Sequence, residues 1–220
     1  GGSSAFTKDI NLNLILGLLS SKLSTIFLQA LNPTANMQVG DVASIPYLSL
    51  VNTFSDQIID IVENIVRSTK NDWDAYETSW DFTSLPLLKN EYKKSSLEES
   101  YKTLRAFWQT QVDTMKKLEE ENNDIFIKAY GLEDELKPYI PLKEITLTCN
   151  PAYRYDDKKS DEELEALLLA DTVKEYISYA VGVMFGRYSL DHDGLHIANQ
   201  NESIEEANAK FGITNPTFEA

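Results

Sequence analysis

His192 and His196, the only histidines of the 220-residue chain, lie four residues apart beside the carboxylates of Asp191 and Asp193. Two imidazoles at this spacing can share one metal ion when both project from the same helical face. Asp193-Gly194 is a turn signal between them, so the segment predicts a solvated loop with no metal. A second group runs from Trp73 to Phe82, where Trp73, Tyr76, Trp80 and Phe82 are interleaved with Asp74, Glu77 and Asp81. Ring faces beside acids could hold a cationic ligand, but the same aromatics can cover the end of a helical unit, and packing is the expected role. Cys149 is the single cysteine. It leaves no disulfide framework and no thiolate zinc site, and it fits a reducing, cytoplasmic setting.

Charge narrows the function classes. Lys and Arg number 20 against 35 Asp and Glu, a formal net charge of −15. A free-standing nucleic-acid binder needs a basic face to replace phosphate counterions, and this balance opposes it. The excess is uneven: residues 1–50 carry Lys8 and Lys22 against Asp9 and Asp41, so the whole of −15 lies in residues 51–220. The most apolar stretch, residues 12–31, contains Ser20, Ser21, Lys22, Ser24, Thr25 and Gln29, which reads as an amphipathic helix and not a membrane span. The chain opens Gly1-Gly2-Ser3-Ser4 without an initiator methionine. These are either tag residues or the edge of a piece cut from a longer protein.

The elements that must position these groups are mostly helical. Ile15, Leu19, Leu23, Ile26 and Ala30 recur at spacings of three and four, predicting a helix over 11–31 that ends at Asn32-Pro33. Val51, Phe54, Ile58, Ile61 and Ile65 form a narrow seam over 51–68. Leu97, Tyr101, Leu104, Trp108, Gln111, Met115, Leu118, Asn122, Ile125 and Ala129 continue such a seam over 95–130, with Ser96 and Glu99 at capping-box spacing and Gly131 as the stop. A lone seam gains little stability, so the two helices are expected to pair antiparallel. The run Glu119-Glu120-Glu121 reads as a solvated face. Short extended pieces are expected at 36–39 and 145–148, a helix over 161–185 that opens with Asp161, Glu162 and Glu163, and a short helix at 204–211. The fold class is mainly α: a long antiparallel helix pair, or coiled-coil-like bundle, with a few short strands. Three regions follow: 1–50, a spacer at 51–135 and a small helical region at 136–220.

Asn150-Pro151-Ala152-Tyr153 resembles the Asn-Pro-Pro-Tyr motif of DNA amino-methyltransferases, in which the Asn and a Pro carbonyl accept hydrogen bonds from the target amino group while the ring stacks on the flipped base. The third position departs from that pattern. The nine glycines are dispersed, with no glycine-rich turn between a strand and a helix to hold a methyl donor, so no catalytic residue is assigned.

Several segments together resemble the PglX-like adenine-specific DNA methyltransferases associated with BREX phage defence. Leu16-Gly17-Leu18-Leu19-Ser20-Ser21-Lys22, Ala30-Leu31-Asn32-Pro33-Thr34-Ala35-Asn36-Met37-Gln38-Val39-Gly40-Asp41 and Ile45-Pro46 look like the end of a target-recognition domain. The connector from Asn71-Asp72-Trp73 to Asp81-Phe82, Tyr130-Gly131-Leu132-Glu133-Asp134-Glu135-Leu136 and Ser178-Tyr179-Ala180-Val181-Gly182-Val183-Met184-Phe185-Gly186-Arg187-Tyr188-Ser189-Leu190-Asp191 are similar to that group in its order. The resemblance implies a parent enzyme that methylates adenine N6 in double-stranded DNA with S-adenosylmethionine, whose donor and catalytic motifs precede this piece. The piece itself then needs no cofactor. It would be the close of the recognition domain plus a helical spacer, reaching DNA through the full-length protein and facing other defence subunits, with no membrane partner. Lys8, Lys22, Asn36 and Gln38 are the side chains that would face DNA. The alternative is a helical protein–protein interaction module with no DNA role.

Overall fold

A computed structural model describes residues 6, 10–34, 38–155 and 158–217. Among the described residues there are eight α-helices and no strand. They are α1 (Leu12–Leu19), α2 (Lys22–Leu31), α3 (Val39–Ala43), α4 (Ser55–Trp73), α5 (Leu97–Ala129), α6 (Pro151–Arg154), α7 (Asp161–Met184) and α8 (Ile204–Phe211). No single helix among the described residues is long and apolar enough to cross a membrane. The chain divides into two compact units: Gly1–Thr69 with Gln111–Ile145, and Lys70–Thr110 with Thr146–Ala220.

In the first unit the helix expected over 11–31 is two helices bent by 68°. The break has no proline or glycine. Ser21 makes it: its hydroxyl donates to Leu18 O (2.6 Å) and accepts from Ser24 N, so Ser21 ends one helix and caps the next. The core joins Leu14, Leu18 and Leu23 to Val51, Ile58, Ile61 and Val62 and to Ile125, Phe126 and Ala129. Each such side chain contributes about 1.5–3 kcal/mol by leaving water. Gly17 allows the close approach. A Cβ there would lie 2.9 Å from Ile58 Cγ2 and 3.0 Å from Asn122 Oδ1, so α1 packs against both α4 and α5. The seam positions 58, 61, 115, 122, 125 and 129 are buried, and α1 supplies part of what buries them.

The acidic run on α5 is not a simple solvated face. Glu120 pairs with Lys116 and accepts from Ile140 N (2.9 Å), while Glu121 accepts from Gln57 Nε2 (2.8 Å). Three consecutive residues point in three directions on a helix, and here one of them turns inward. Glu119 does: burial, with Glu144 nearby, pushes its carboxyl up to about 7.

In the second unit Phe82, Leu85, Leu87, Leu104, Trp108, Leu164, Leu168, Tyr179 and Tyr188 are buried. Phe82 meets Tyr179 and Tyr188 edge-on at 6.0 and 5.5 Å, and the two tyrosines stack at 4.9 Å. The expected packing role of the aromatic connector holds for Phe82 but fails for Trp80, which is fully exposed, and for Trp73, mostly exposed. α7 opens on a capping box between Ser160 and Glu163. Residues 145–148 are not a strand. Their alternation reflects the burial of Ile145 and Leu147, and the backbone N–H groups of Thr148 and Cys149 donate to the Asp72 carboxylate in place of a neighbouring strand. The other expected strand, at 36–39, falls largely outside the described residues, and its last position, Val39, begins α3.

Two measurements check the first unit. Gly17→Ala gains helix propensity but overpacks the contact with Ile58 and Asn122, so urea unfolding is expected to show a net loss of about 1–2 kcal/mol. The folded chain retains a proton on Glu119 that the unfolded chain releases between pH 4.5 and about 7. Stability from this group therefore falls as pH rises through that window. Glu119→Gln is expected to raise the unfolding midpoint at pH 8, by about 1 kcal/mol after allowance for partial solvation, and to change little at pH 4.

Candidate functional site

Asn150 and its neighbours form a helix cap. Asn150 is buried, its Oδ1 accepts from Ala152 N (3.2 Å), and Pro151 fills the first position of α6, where its missing N–H costs nothing. Asp72 anchors the approach to this turn, its Oδ2 accepting from Thr148 N (2.6 Å) and its Oδ1 from Cys149 N (3.1 Å). The Tyr153 ring is half exposed. Burial and the nearby Asp72 push the Cys149 thiol far up, which removes it as a nucleophile at neutral pH.

Around this cap the second unit gathers a group of charged and phenolic side chains. Arg154 Nη2 lies 2.9 Å from Glu175 Oε1 and 3.5 Å from Asp171 Oδ2. Tyr155 Oη donates to Asp171 Oδ2 (2.7 Å), and the guanidinium sits 5.5 Å from the Tyr76 ring centre and 5.7 Å from that of Tyr155. Burial pushes the Glu175 carboxyl up, and Arg154 offsets part of that shift. Burial, followed by the charges of Asp72 and Glu175, holds the Tyr76 phenol far above its ordinary range. A cavity of about 300 Å³ is lined by Trp73, Tyr76, Glu77, Thr148, Arg154 and Glu175. It offers two carboxyl groups, a guanidinium and a neutral phenol, a set that can hold a polar group. The phenol is kept protonated and Glu175 and Asp171 are engaged by cations, while the buried Tyr76 hydroxyl, Glu77 Oε1 and Arg154 Nη1 have no hydrogen-bond partner among the described residues.

The histidines meet each other. His192 Nε2 lies 2.7 Å from His196 Nδ1, and Phe211 stacks on His192 at 3.8 Å between ring centres. His196 is buried and not solvated as the turn signal suggested; burial, with His192 alongside, lowers its pKa. The turn itself forms as expected: Gly194 takes φ +83°, and its N–H donates to Thr83 O (2.7 Å). Among the described residues no three His, Cys, Asp or Glu side chains are grouped to hold a metal ion.

Lys8 and Asn36 lie outside the described residues. Lys22 is exposed at the start of α2. Its backbone N–H donates to Asn123 Oδ1 (2.8 Å), and its ammonium reaches the carbonyls of Tyr139 (3.3 Å) and Lys137 (3.5 Å). Gln38 is exposed at the N-cap of α3, where its backbone N–H donates to Asp41 Oδ2 (2.9 Å). These two candidates serve different turns and share no partner. Sequence reasoning missed Asp72, Arg154, Asp171 and Glu175, which come together from positions up to 103 residues apart with no short motif to mark them. Asp72→Ala, which strands two backbone donors, is expected to cost about 2–3 kcal/mol in chemical denaturation, whereas Asp72→Asn, still able to accept one bond, should lose less.

No protein-family model matches the chain. It is 33% identical over 205 residues to Adenine-specific methyltransferase PglX of Lacticaseibacillus casei (strain Zhang), an alignment covering 90% of this chain and 15% of that protein. It is 29% identical over 214 residues to Adenine-specific methyltransferase BrxX of Escherichia coli O9:H4 (strain HS), covering 96% of this chain and 17% of that protein. The chain therefore spans about a sixth of the length of the curated relatives it matches. Similarity that runs through nearly the whole chain, across both of its units, makes this chain a PglX-like segment, homologous to one part of the adenine-specific methyltransferases.

Proposed function

We propose that the chain is a non-catalytic, C-terminal part of a site-specific adenine-N6 DNA methyltransferase of a phage-defence (BREX) or restriction-modification system, and that it positions the target-recognition domain. The observation that carries this reading is the extent of the similarity: nearly all of this chain matches two adenine-specific methyltransferases, yet accounts for only 15–17% of their length. The one tetrapeptide suited to amino-group chemistry supports it, because Asn150 is spent on capping α6. S-adenosylmethionine then belongs to the parent enzyme and is bound outside this segment. Double-stranded DNA is reached through the full-length cytoplasmic protein, with Lys8, Lys22, Asn36 and Gln38 on the DNA side, and the acidic residues 51–220 face away from phosphates or toward other defence subunits. Helices suit a spacer because their length is fixed by the rise per residue. The alternative, an interaction module without a DNA role, draws on the exposed apolar face of α7.

Deleting the segment from a full-length PglX-like enzyme is expected to leave S-adenosylmethionine affinity within about twofold and to abolish site-specific adenine methylation. Loss of donor binding in a remainder that still folds would move the segment into the catalytic unit, and unchanged methylation would remove the positioning role. Lys22→Glu in the full-length enzyme is expected to raise KM for DNA about three- to tenfold with kcat unchanged. An unaltered KM would take Lys22 off the DNA side.

A further inference from the structure

The cavity of about 300 Å³ lies within the second unit, and the proposed positioning role makes no use of it. Three of its lining residues carry a polar atom that no protein group serves. Tyr76 Oη, Glu77 Oε1 and Arg154 Nη1 are closed off from solvent and have no hydrogen-bond partner among the described residues. Folded proteins leave few such groups, and three around one cavity point to something that enters it. Bulk water does not reach these atoms, whereas a group seated in the cavity meets them once the side chains turn toward it. Much of the remaining wall is apolar, from the half-exposed Trp73 indole, the Tyr76 ring, Ala75 and Leu85. Filling this volume would take about ten waters, and those beside the rings would lack polar partners. A cavity of about 150 Å³ admits a benzene molecule, so this one has room for about one or two rings.

We propose that this cavity binds a small neutral heterocyclic amide, whose ring carbonyl oxygens accept from Arg154 Nη1 and Tyr76 Oη and whose N–H donates to Glu77 Oε1. The ion pairs around the cavity set the charge of the ligand. Arg154 is already matched by Glu175 (2.9 Å) and Asp171 (3.5 Å), Lys174 by Asp171 (2.8 Å), and Glu77 Oε2 lies 3.7 Å from Arg187 Nη1. A carboxylate or phosphate at Arg154 would sit beside Glu175 and Asp171, and an ammonium at Glu77 would meet Arg187. Either would leave a charge uncompensated in a part-buried site. What remains to be satisfied is hydrogen bonding without net charge. Arg154 donates, the Tyr76 phenol, which burial keeps protonated, also donates, and Glu77 accepts. An amide carries the complement, a C=O beside an N–H, and a flat ring can stack on the Trp73 and Tyr76 faces. A sugar is neutral too, but its hydroxyl on almost every carbon would press several polar groups against these apolar walls. This inference does not depend on the proposed positioning role.

The indole N–H resonance of Trp73 in the 220-residue chain, identified by its loss in Trp73→Phe, reports the site. Titration with uracil is expected to shift it saturably, with a Kd on the order of 1 mM, and to leave that of the fully exposed Trp80 in place. 1,3-Dimethyluracil keeps the ring and both carbonyls but has no N–H, and it is expected to bind the wild-type chain at least about tenfold more weakly. Tyr76→Phe removes a hydroxyl that has no protein partner to lose. Its thermal midpoint is therefore expected to stay within about 2 °C of wild type or to rise, while uracil binding weakens about three- to tenfold. The comparison of the two rings on the wild-type chain decides the matter if Tyr76→Phe does not fold. No saturable shift up to about 20 mM uracil would overturn the proposal. So would 1,3-dimethyluracil binding as tightly as uracil, glucose moving the Trp73 resonance with the same affinity, or Tyr76→Phe leaving uracil affinity unchanged.

Discussion

Two adjacent asparagines in the C-terminal third of α5 tie the segments of the first unit together. Asn122 donates from Nδ2 to Gly17 O (2.9 Å), while Asn123 accepts from Lys22 N (2.8 Å) and donates to Pro138 O (3.2 Å). Both are buried at 3% exposure, where partnered polar groups fix register; Asn123 is partnered through both its Oδ1 and Nδ2, whereas Asn122 is partnered through Nδ2 and its Oδ1 has no hydrogen-bond partner among the described residues. Through them α5 grips the backbone of α1 near its end, of α2 at its start and of the segment after Gly131. The bend that Ser21 makes between α1 and α2 is braced by this grip: the N-terminus of α2 exposes backbone donors, and Asn123 supplies one of their acceptors from 101 residues away. An apolar residue at 122 or 123 would pack, but it would leave those turns unanchored.

The second unit uses charge for the same purpose. Asp72 replaces a strand partner for residues 148 and 149, Arg105 clasps Glu165 through both Nε and Nη2, and Arg154 joins α6 to α7 through Glu175 and Asp171. These pairs are part-buried, so their geometry matters more than their number. The acidic excess of the chain therefore has two parts. Some carboxylates are internal braces, and the remainder give the surface its sign.

Much of this was legible. The period of the apolar residues located α5 and α7 within two residues at each end, Gly131 ended α5 with φ +68°, and the short helix expected at 204–211 is α8. Local patterns and caps act over a few residues, so a sequence displays them directly. What was hidden depends on distant partners. Ser20-Ser21 reads as the polar side of a continuous helix until Asn123 is placed against Lys22. The alternation at 145–148 reads as a strand until Asp72 takes its donors. The pairing of α4 with α5 was read from two seams, and Gly17 shows why the seams alone were insufficient: a third helix approaches both. The resemblance to PglX-like methyltransferases rested on residue strings spread along the chain, and similarity over 90–96% of it supports that reading more than any single motif could.

Asn150, the group best suited by type to amino-group chemistry, is engaged as the cap of α6, in keeping with the proposed scaffold role. Asn150 is where this claim is most exposed. Serine caps a helix about as well as asparagine but cannot replace a carboxamide that accepts from a target amino group. Single-turnover adenine methylation by a full-length PglX-like enzyme carrying Asn150→Ser is therefore the most direct measurement. A rate within about threefold of wild type is expected, and a fall of about 100-fold or more with donor and DNA binding intact would contradict the scaffold reading.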